Sequence, residues 1–221
     1  MHVSDALSKR RSTRAFLDTP IETARLTRLI AQASRAPSGG NLQPWHVHLL
    51  NGAAMTRFHA TMAPRLDAGQ TDPLEYPIYP PSLSEPYRTR RFAVGEQMYA
   101  RLGIPRTDKA KRLEWFHRNW RFFDAPAGLF LFTDRMMGAA QWSDLGGFLQ
   151  TLMLLLVEDG LASCPQEAWA MHHTAVTDFC DTPPDLMLFC GLAIGIPDPA
   201  HPLATFETER APQTEWLTLH E

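Results

Sequence analysis

The sequence predicts an α+β fold in a single domain spanning residues 1–221. Three observations carry that reading. Only four or five short segments have strand character, and long helical stretches separate them. Their order lacks the regular strand–helix alternation of a doubly wound parallel sheet. The length of 221 residues and the hydrophobic fraction of 44% suit one substantial core.

The elements follow in chain order. Ser4 is the expected N-cap of a first helix ending near Arg11. A second helix covers about Glu22 to Arg35, where Leu26, Leu29, Ile30 and Ala33 recur at helical spacing. Pro37-Ser38-Gly39-Gly40-Asn41 stops it. The alternation in "WHVHLLN" (45–51) predicts a strand, and "AAMTRFHATM" (53–62) a helix. Residues 71–88 are rich in Pro and Tyr. Leu74, Tyr76, Ile78, Tyr79, Leu83 and Tyr87 make them too apolar for a solvated tether. An ordered excursion that walls a binding site is expected there, within a stretch (71–121) close to the active site. Helices are predicted over about 89–102 and 107–121, and a buried strand in "AGLFLFT" (127–133). The helical segment 139–160 is apolar on nearly every side after Leu145, so a partner chain is expected to cover part of it. "LMLFCGLAIGIP" (186–197) is a second buried strand, where Gly191 and Gly195 permit close approach. The tail 198–221 ends in "EWLTLHE", which reads as a strand without a hairpin partner.

Several function classes are disfavoured. A net charge of −3 is wrong for a general nucleic-acid binder. Cys164, Cys180 and Cys190 form an odd set without paired spacing, which suits reduced thiols in a cytoplasmic protein. The apolar run "LMLLLV" (152–157) is too short to span a bilayer, and "MHVSDALSKRR" lacks a signal-peptide core, so no membrane association is expected. No G-x-G-x-x-G follows a strand and no P-loop motif occurs. His46, His48, His172 and His173 have no carboxylate or cysteine close in sequence that completes a metal site, and no metal is expected.

Four segments carry candidate chemistry. "RRSTRAF" gathers Arg10, Arg11, Ser12 and Arg14. An extended exit from the helix would point residues 10, 12 and 14 to one side, as donors for a phosphate. Taken alone, the cluster is also the ordinary solvated basic end of a helix. "APSGGNLQPWHV" (36–47) combines glycines with Ser38, Asn41 and Gln43, which suits either a ligand loop or a plain turn. "GLASCPQEAW" (160–169) places Glu167 between an apolar segment and a Trp, and "ETERAP" (207–212) isolates Arg210 in a Pro-rich tail.

In this order and at these intervals, over about residues 3–216, the four segments resemble the FMN-dependent nitroreductase family, and within it the branch that reduces nitrobenzoates and other nitroaromatics. The resemblance implies a mostly antiparallel central sheet flanked by helices, and a homodimer binding two FMN at its interface. It implies phosphate and ribityl contacts from Arg10 and Ser12, with Arg11 contributing mainly backbone. Arg14 would lie near the pyrimidine side of the flavin, and Arg210 would be a second phosphate ligand. Pro37, Ser38, Gly39 and Asn41 would come from the other subunit, with Gln43 at the ring edge. Pro165, Gln166, Glu167 and Ala168 would form the loop that packs on the ring and offers it a backbone N–H. Thr208 stands where many members have Lys, and Arg11 is the candidate replacement. Ala168 stands where Gly is frequent. The implied chemistry is a ping-pong cycle in which NADH or NADPH reduces the flavin and a small electron-poor aromatic takes the electrons, with no catalytic side chain. Enone reduction, dehalogenation, flavin fragmentation or a non-catalytic flavin carrier on the same scaffold stay open. The tail would cross to the partner in the dimer.

Overall fold

The computed structural model describes all 221 residues. Five strands form one antiparallel sheet: β1 (Phe16–Leu17), β2 (His46–Asn51), β3 (Ala127–Asp134), β4 (Ala162–Gln166) and β5 (Leu186–Pro197). β5 pairs with β3, with β4 and, through its last two residues, with β1; β2 lies beyond β3. Seven helices surround the sheet: α1 (Val3–Lys9), α2 (Thr23–Ala33), α3 (Ala53–Asp67), α4 (Tyr87–Arg101), α5 (Lys109–His117), α6 (Ala139–Glu158) and α7 (His173–Cys180).

β3 and β5 are apolar runs because both faces of the sheet are covered. Ala127, Leu129 and Leu131 of β3 face one layer, where α2 and α6 supply Leu26, Leu29, Phe148, Leu152 and Leu156. Phe130 and Phe132 face the opposite layer, built from α3, α7 and the irregular segment 118–124. The register slips between Leu131 and Phe132, leaving Phe189 of β5 as a bulged residue. One extra residue inverts the side-chain alternation. Hence Cys190, Leu192 and Ile194 face the first layer, whereas Leu186 and Leu188 face the second.

Gly128 and Gly191 lack side chains because aromatic rings occupy that space. A Cβ on Gly128 would come within 2.8 Å of Phe122, and one on Gly191 would overlap the Trp169 indole, 2.7 Å from its Nε1.

The structure corrects several sequence expectations. α1 begins at Val3, and the Asp5 carboxylate accepts from the His2 N–H at 3.2 Å, so Ser4 is not the N-cap. α3 runs past Met62 and through Pro64 to Asp67. Of the expected loop 165–168, Pro165 and Gln166 belong to strand β4, and Glu167 and Ala168 open the 3-10 turn Glu167–His172 that follows it. α7 had no counterpart in the sequence reading. The end of the tail is expected to pair with a partner chain; in one chain alone Gln213–Glu215 make a 3-10 turn, and Trp216, Leu217 and Leu219 are exposed. α6 buries Leu145, Phe148, Leu149, Leu152, Met153 and Leu156, while Leu154 and Val157 stay partly exposed on its outer side. No helix is long and apolar enough to cross a membrane.

Candidate functional site

One open cavity has a volume of about 1040 Å³. Its floor is the chain leaving α1 and the junction of β4 with the turn that follows. The N–H of Thr13 donates to Ser163 O at 2.9 Å, and Ser12 bridges Ser163, so residues 12–14 run extended beside β4. Alternate residues of an extended chain share a side. That places Arg10, Ser12 and Arg14 in the cavity together with Pro165, Gln166, Glu167 and Ala168. The tail returns over the same opening with Phe206, Glu207, Thr208 and Arg210.

The cations of this cavity are in two different states. Arg11 is matched within the chain: it forms an ion pair with Glu207 and donates to Ala204 O at 3.1 Å. Its guanidinium is thus held by the tail, which counts against its replacing the Lys absent at Thr208. Arg10 and Arg210 have no carboxylate partner, and neither has Arg14. Arg14 lies 5.9 Å from the Phe123 ring centroid and donates to Ser12 O, and Arg210 donates to the Thr208 hydroxyl at 2.6 Å. Three guanidinium groups without acid partners, plus the Ser12 hydroxyl, form a donor set for a multiply charged anion.

The segment 165–168 is fixed from behind. The Gln166 side chain is buried, donates to Asn119 O at 2.7 Å and accepts from the Trp169 indole at 3.4 Å. Its amide is therefore committed to the interior, and only its backbone can reach a ligand. The Trp120 indole donates to Ala168 O at 3.2 Å. Burial pushes the thiols of Cys164, in β4, and Cys190 upward, so neither is a poised nucleophile.

Pro37, Ser38, Gly39, Asn41 and Gln43 do not line this cavity. They form a turn in which the Gly39 N–H donates to both Asp144 carboxylate oxygens, at 3.3 and 3.2 Å. The Gln43 N–H donates to Ser38 Oγ at 3.0 Å. Gly40, Asn41 and Gln43 hold φ values of 58°, 59° and 51°, in the left-handed region. The turn presents Asn41 and Gln43 to solvent.

The far wall includes residues the sequence reading did not single out: Arg91, Met98 and Tyr99 of α4, Trp115 and Phe116 of α5, and Phe123. Leu74 and residues 77–81 of the excursion join them. The start of the excursion is anchored. The Asp72 N–H donates to Met171 O at 2.8 Å, and the Tyr76 hydroxyl donates to the carbonyl of the bulged Phe189. Burial opposes the charge of Asp72, but the hydroxyl and N–H of Thr174, with Arg65, still hold its carboxyl below the usual range. Behind this anchor His172 is buried, with its Nδ1 accepting from Arg65 Nε at 3.2 Å. Burial first, then the Arg65 charge, lowers its pKa to about 4.

A family model described as "Nitroreductase family" matches residues 7–196. The chain belongs to the nitroreductase family. It is 34% identical over 221 residues to a nitrobenzene nitroreductase of Ectopseudomonas oleovorans, covering 99% of this chain and 97% of the relative. It is 35% identical over 192 residues to a 4-nitrobenzoate reductase of Pseudomonas putida, covering 87% and 84% of the two chains. Among solved structures, an FMN and NADPH-dependent nitroreductase of Sphigopyxis sp. strain HMH superposes with a TM-score of 0.96 at 46% identity, over the full length of both chains. These nitroreductase neighbours support the fold class expected from the sequence. The single chain gathers nine of the fourteen expected contact residues in the cavity, and the five of the turn 37–43 lie outside it.

Proposed function

We propose that the chain is an FMN-dependent nitroreductase that draws electrons from NADPH or NADH, passes them to nitroaromatic acceptors, and works as a homodimer in the cytoplasm. The observation that supports it most is the set of unpaired guanidinium groups, Arg10, Arg14 and Arg210, gathered with a rigid backbone at 165–168 in one cavity. The donor set fits FMN: two guanidinium groups and a hydroxyl for a dianionic phosphate, and a third cation for a ring that gains negative charge on reduction. When bound, FMN supplies hydride acceptance from a nicotinamide and hydride donation to an acceptor.

The remaining work falls to the chain. Arg10, Arg210 and Ser12 hold the phosphate, while Arg14 sets the local potential. Gln166 and Trp120 keep the 165–168 backbone fixed, so that its N–H groups are oriented before a ligand arrives. Met98, Trp115, Phe116 and the excursion exclude water and offer flat apolar area to an arene. No nucleophile or general base is required, in keeping with the raised Cys164 and Cys190 thiols.

Assembly is argued from uncovered surface. In one chain the outer side of α6 stays partly exposed, as do Asn41 and Gln43 of the turn, and Trp216, Leu217 and Leu219 of the tail face solvent. In the proposed dimer two copies meet on α6, the turn of one reaches the cavity of the other, and the tail crosses over. The test is to purify the protein, identify the released flavin, and follow NADPH and NADH oxidation with nitrobenzene and 4-nitrobenzoate. Released FMN with turnover is expected. FAD, or no flavin, overturns the reading; bound FMN without turnover with any acceptor reduces it to a flavin carrier.

A further inference from the structure

The cavity holds one more unpaired cation than the flavin reading uses. Arg10, Arg14 and Arg210 are assigned to FMN, and Arg11 is matched by Glu207. Arg91 is left. It lines the same cavity but comes from a different element, α4, and has no carboxylate partner. Its neighbours differ: Arg88 pairs with Glu85, and Arg90 pairs with Glu215. Arg91 instead lies over the Tyr79 ring, 3.9 Å from its centroid.

That placement has physical consequences. A guanidinium stacked on an aromatic face keeps its N–H edge free, because the contact uses the flat face of the group. The stack also restricts the side chain, so less rotamer entropy is lost when an anion binds. Both members lie in the exposed outer part of the cavity, with Tyr79 50% exposed. A small arene confined to the apolar wall of Met98, Trp115 and Phe116 does not need a cation at the rim. A dinucleotide with its nicotinamide inside extends outward and brings its adenosine end to the opening.

Resting on the reading given under Proposed function, we propose that Arg91, held over Tyr79, binds the 2′-phosphate of NADPH and sets a preference for NADPH over NADH. The wild-type protein should then show a lower KM for NADPH than for NADH. In Arg91→Ala the ratio of the two KM values should move about 10-fold or more toward parity, the scale of one charge-assisted contact. Arg91→Lys should retain part of the preference. Arg88→Ala, outside the cavity and paired with Glu85, should keep all of it.

Calorimetric titration with NADP⁺ and NAD⁺ gives a readout independent of turnover. Arg91→Ala should lose the affinity difference while its flavin content stays at the wild-type level. Equal NADPH and NADH constants in the wild type, or an unchanged ratio in Arg91→Ala, would overturn the proposal while leaving the flavin enzyme reading intact. A raised KM for 4-nitrobenzoate, with the nicotinamide ratio unmoved, would also overturn it and assign Arg91 to a carboxylated acceptor. A protein that carries no flavin would instead fail the reading beneath it.

Discussion

Gly191→Ala tests how the core holds the site. Gly191 pairs with Phe130 of β3 on one side and with Gln166 of β4 on the other. An added Cβ would overlap Trp169 Cδ1 and would meet Trp169 Nε1 at 2.7 Å and Phe122 Cε1 at 3.3 Å. Restoring ordinary contact requires the indole to retreat by about 1 Å in a close-packed interior. Trp169 is fully buried against Phe58, Phe122 and Phe130, at centroid distances of 5.4, 4.8 and 5.1 Å, so it has nowhere to go. Overpacking costs about 1–3 kcal/mol, and the lower entropy of the unfolded alanine chain offsets about 0.4–1 kcal/mol of that. A net loss of about 1–2 kcal/mol is expected, a fall in Tm of about 2–8 °C for a chain of this size. The displacement also reaches the site, because the indole donates to the Gln166 amide beside the 165–168 backbone. Flavin content should therefore fall with stability. Circular dichroism melts and the flavin-to-protein absorbance ratio measure both. Adding Trp169→Phe to the Gly191→Ala variant makes room and should recover part of the loss, giving a coupling energy of about 1 kcal/mol in a double-mutant cycle. If Gly191→Ala melts with the wild type and the cycle shows no coupling, the wedge argument is wrong.

Three further outcomes are expected. Arg10→Ala and Arg210→Ala should each weaken FMN binding about 10- to 150-fold, while Arg11→Ala, whose charge Glu207 already matches, should cost less; FMN fluorescence quenching on apoprotein measures it, and unchanged affinity in both would remove them from the phosphate site. His172 titrates at about 4 in the fold against an ordinary 6.5, so the unfolded chain binds the extra proton in between, and stability is lost as pH falls from about 6.5 to 4. That loss is about 3 kcal/mol; because His48, His59 and His201 shift the same way, it is read as the difference between wild type and His172→Gln in denaturant melts, and parallel curves would exclude it. Deleting residues 213–221 should lower dimer stability and flavin content together, by light scattering and absorbance on one sample; a truncated dimer with full flavin would rule out tail exchange.

The legibility of this chain follows its physics. β3 and β5 could be read because buried strands are continuous apolar runs, and α2 because Leu26, Leu29 and Ala33 repeat at helical spacing. β4 was hidden: Ala-Ser-Cys-Pro-Gln has neither alternation nor apolar bulk, and only pairing with β5 makes it a strand. Residues 118–121 read as the end of a helix. Beyond them Phe122, Phe123 and Asp124 hold φ values of 51°, 54° and 62°, a conformation bulky residues take only when tertiary packing imposes it. The tail's alternation suggested a strand, but a strand needs a neighbour, and its own chain offers none. Within the site, extended spacing put Arg10, Ser12 and Arg14 on one side, but the spacing alone fitted a solvated basic helix end equally well. The burial of the Gln166 amide could not be read, because it depends on Asn119, 47 positions away.

One structural asymmetry bears on how such a chain diversifies. The two core clusters draw on α2, α3, α6, α7 and the sheet, whereas α4 buries no residue at all and α5 buries only Trp115. Yet α4 and α5 supply much of the wall a substrate would meet. Exposed substitutions usually change stability by less than about 0.5 kcal/mol, while core changes cost several times more. Selection can therefore rework exposed residues such as Arg91, Val94 or Phe116 almost independently of folding. The 165–168 floor has no such freedom, because Trp169 and Gln166 tie it to the centre of the sheet. Lineages built on this scaffold should vary fastest along the helical wall and slowest beneath the floor, changing what they accept before they change how they fold.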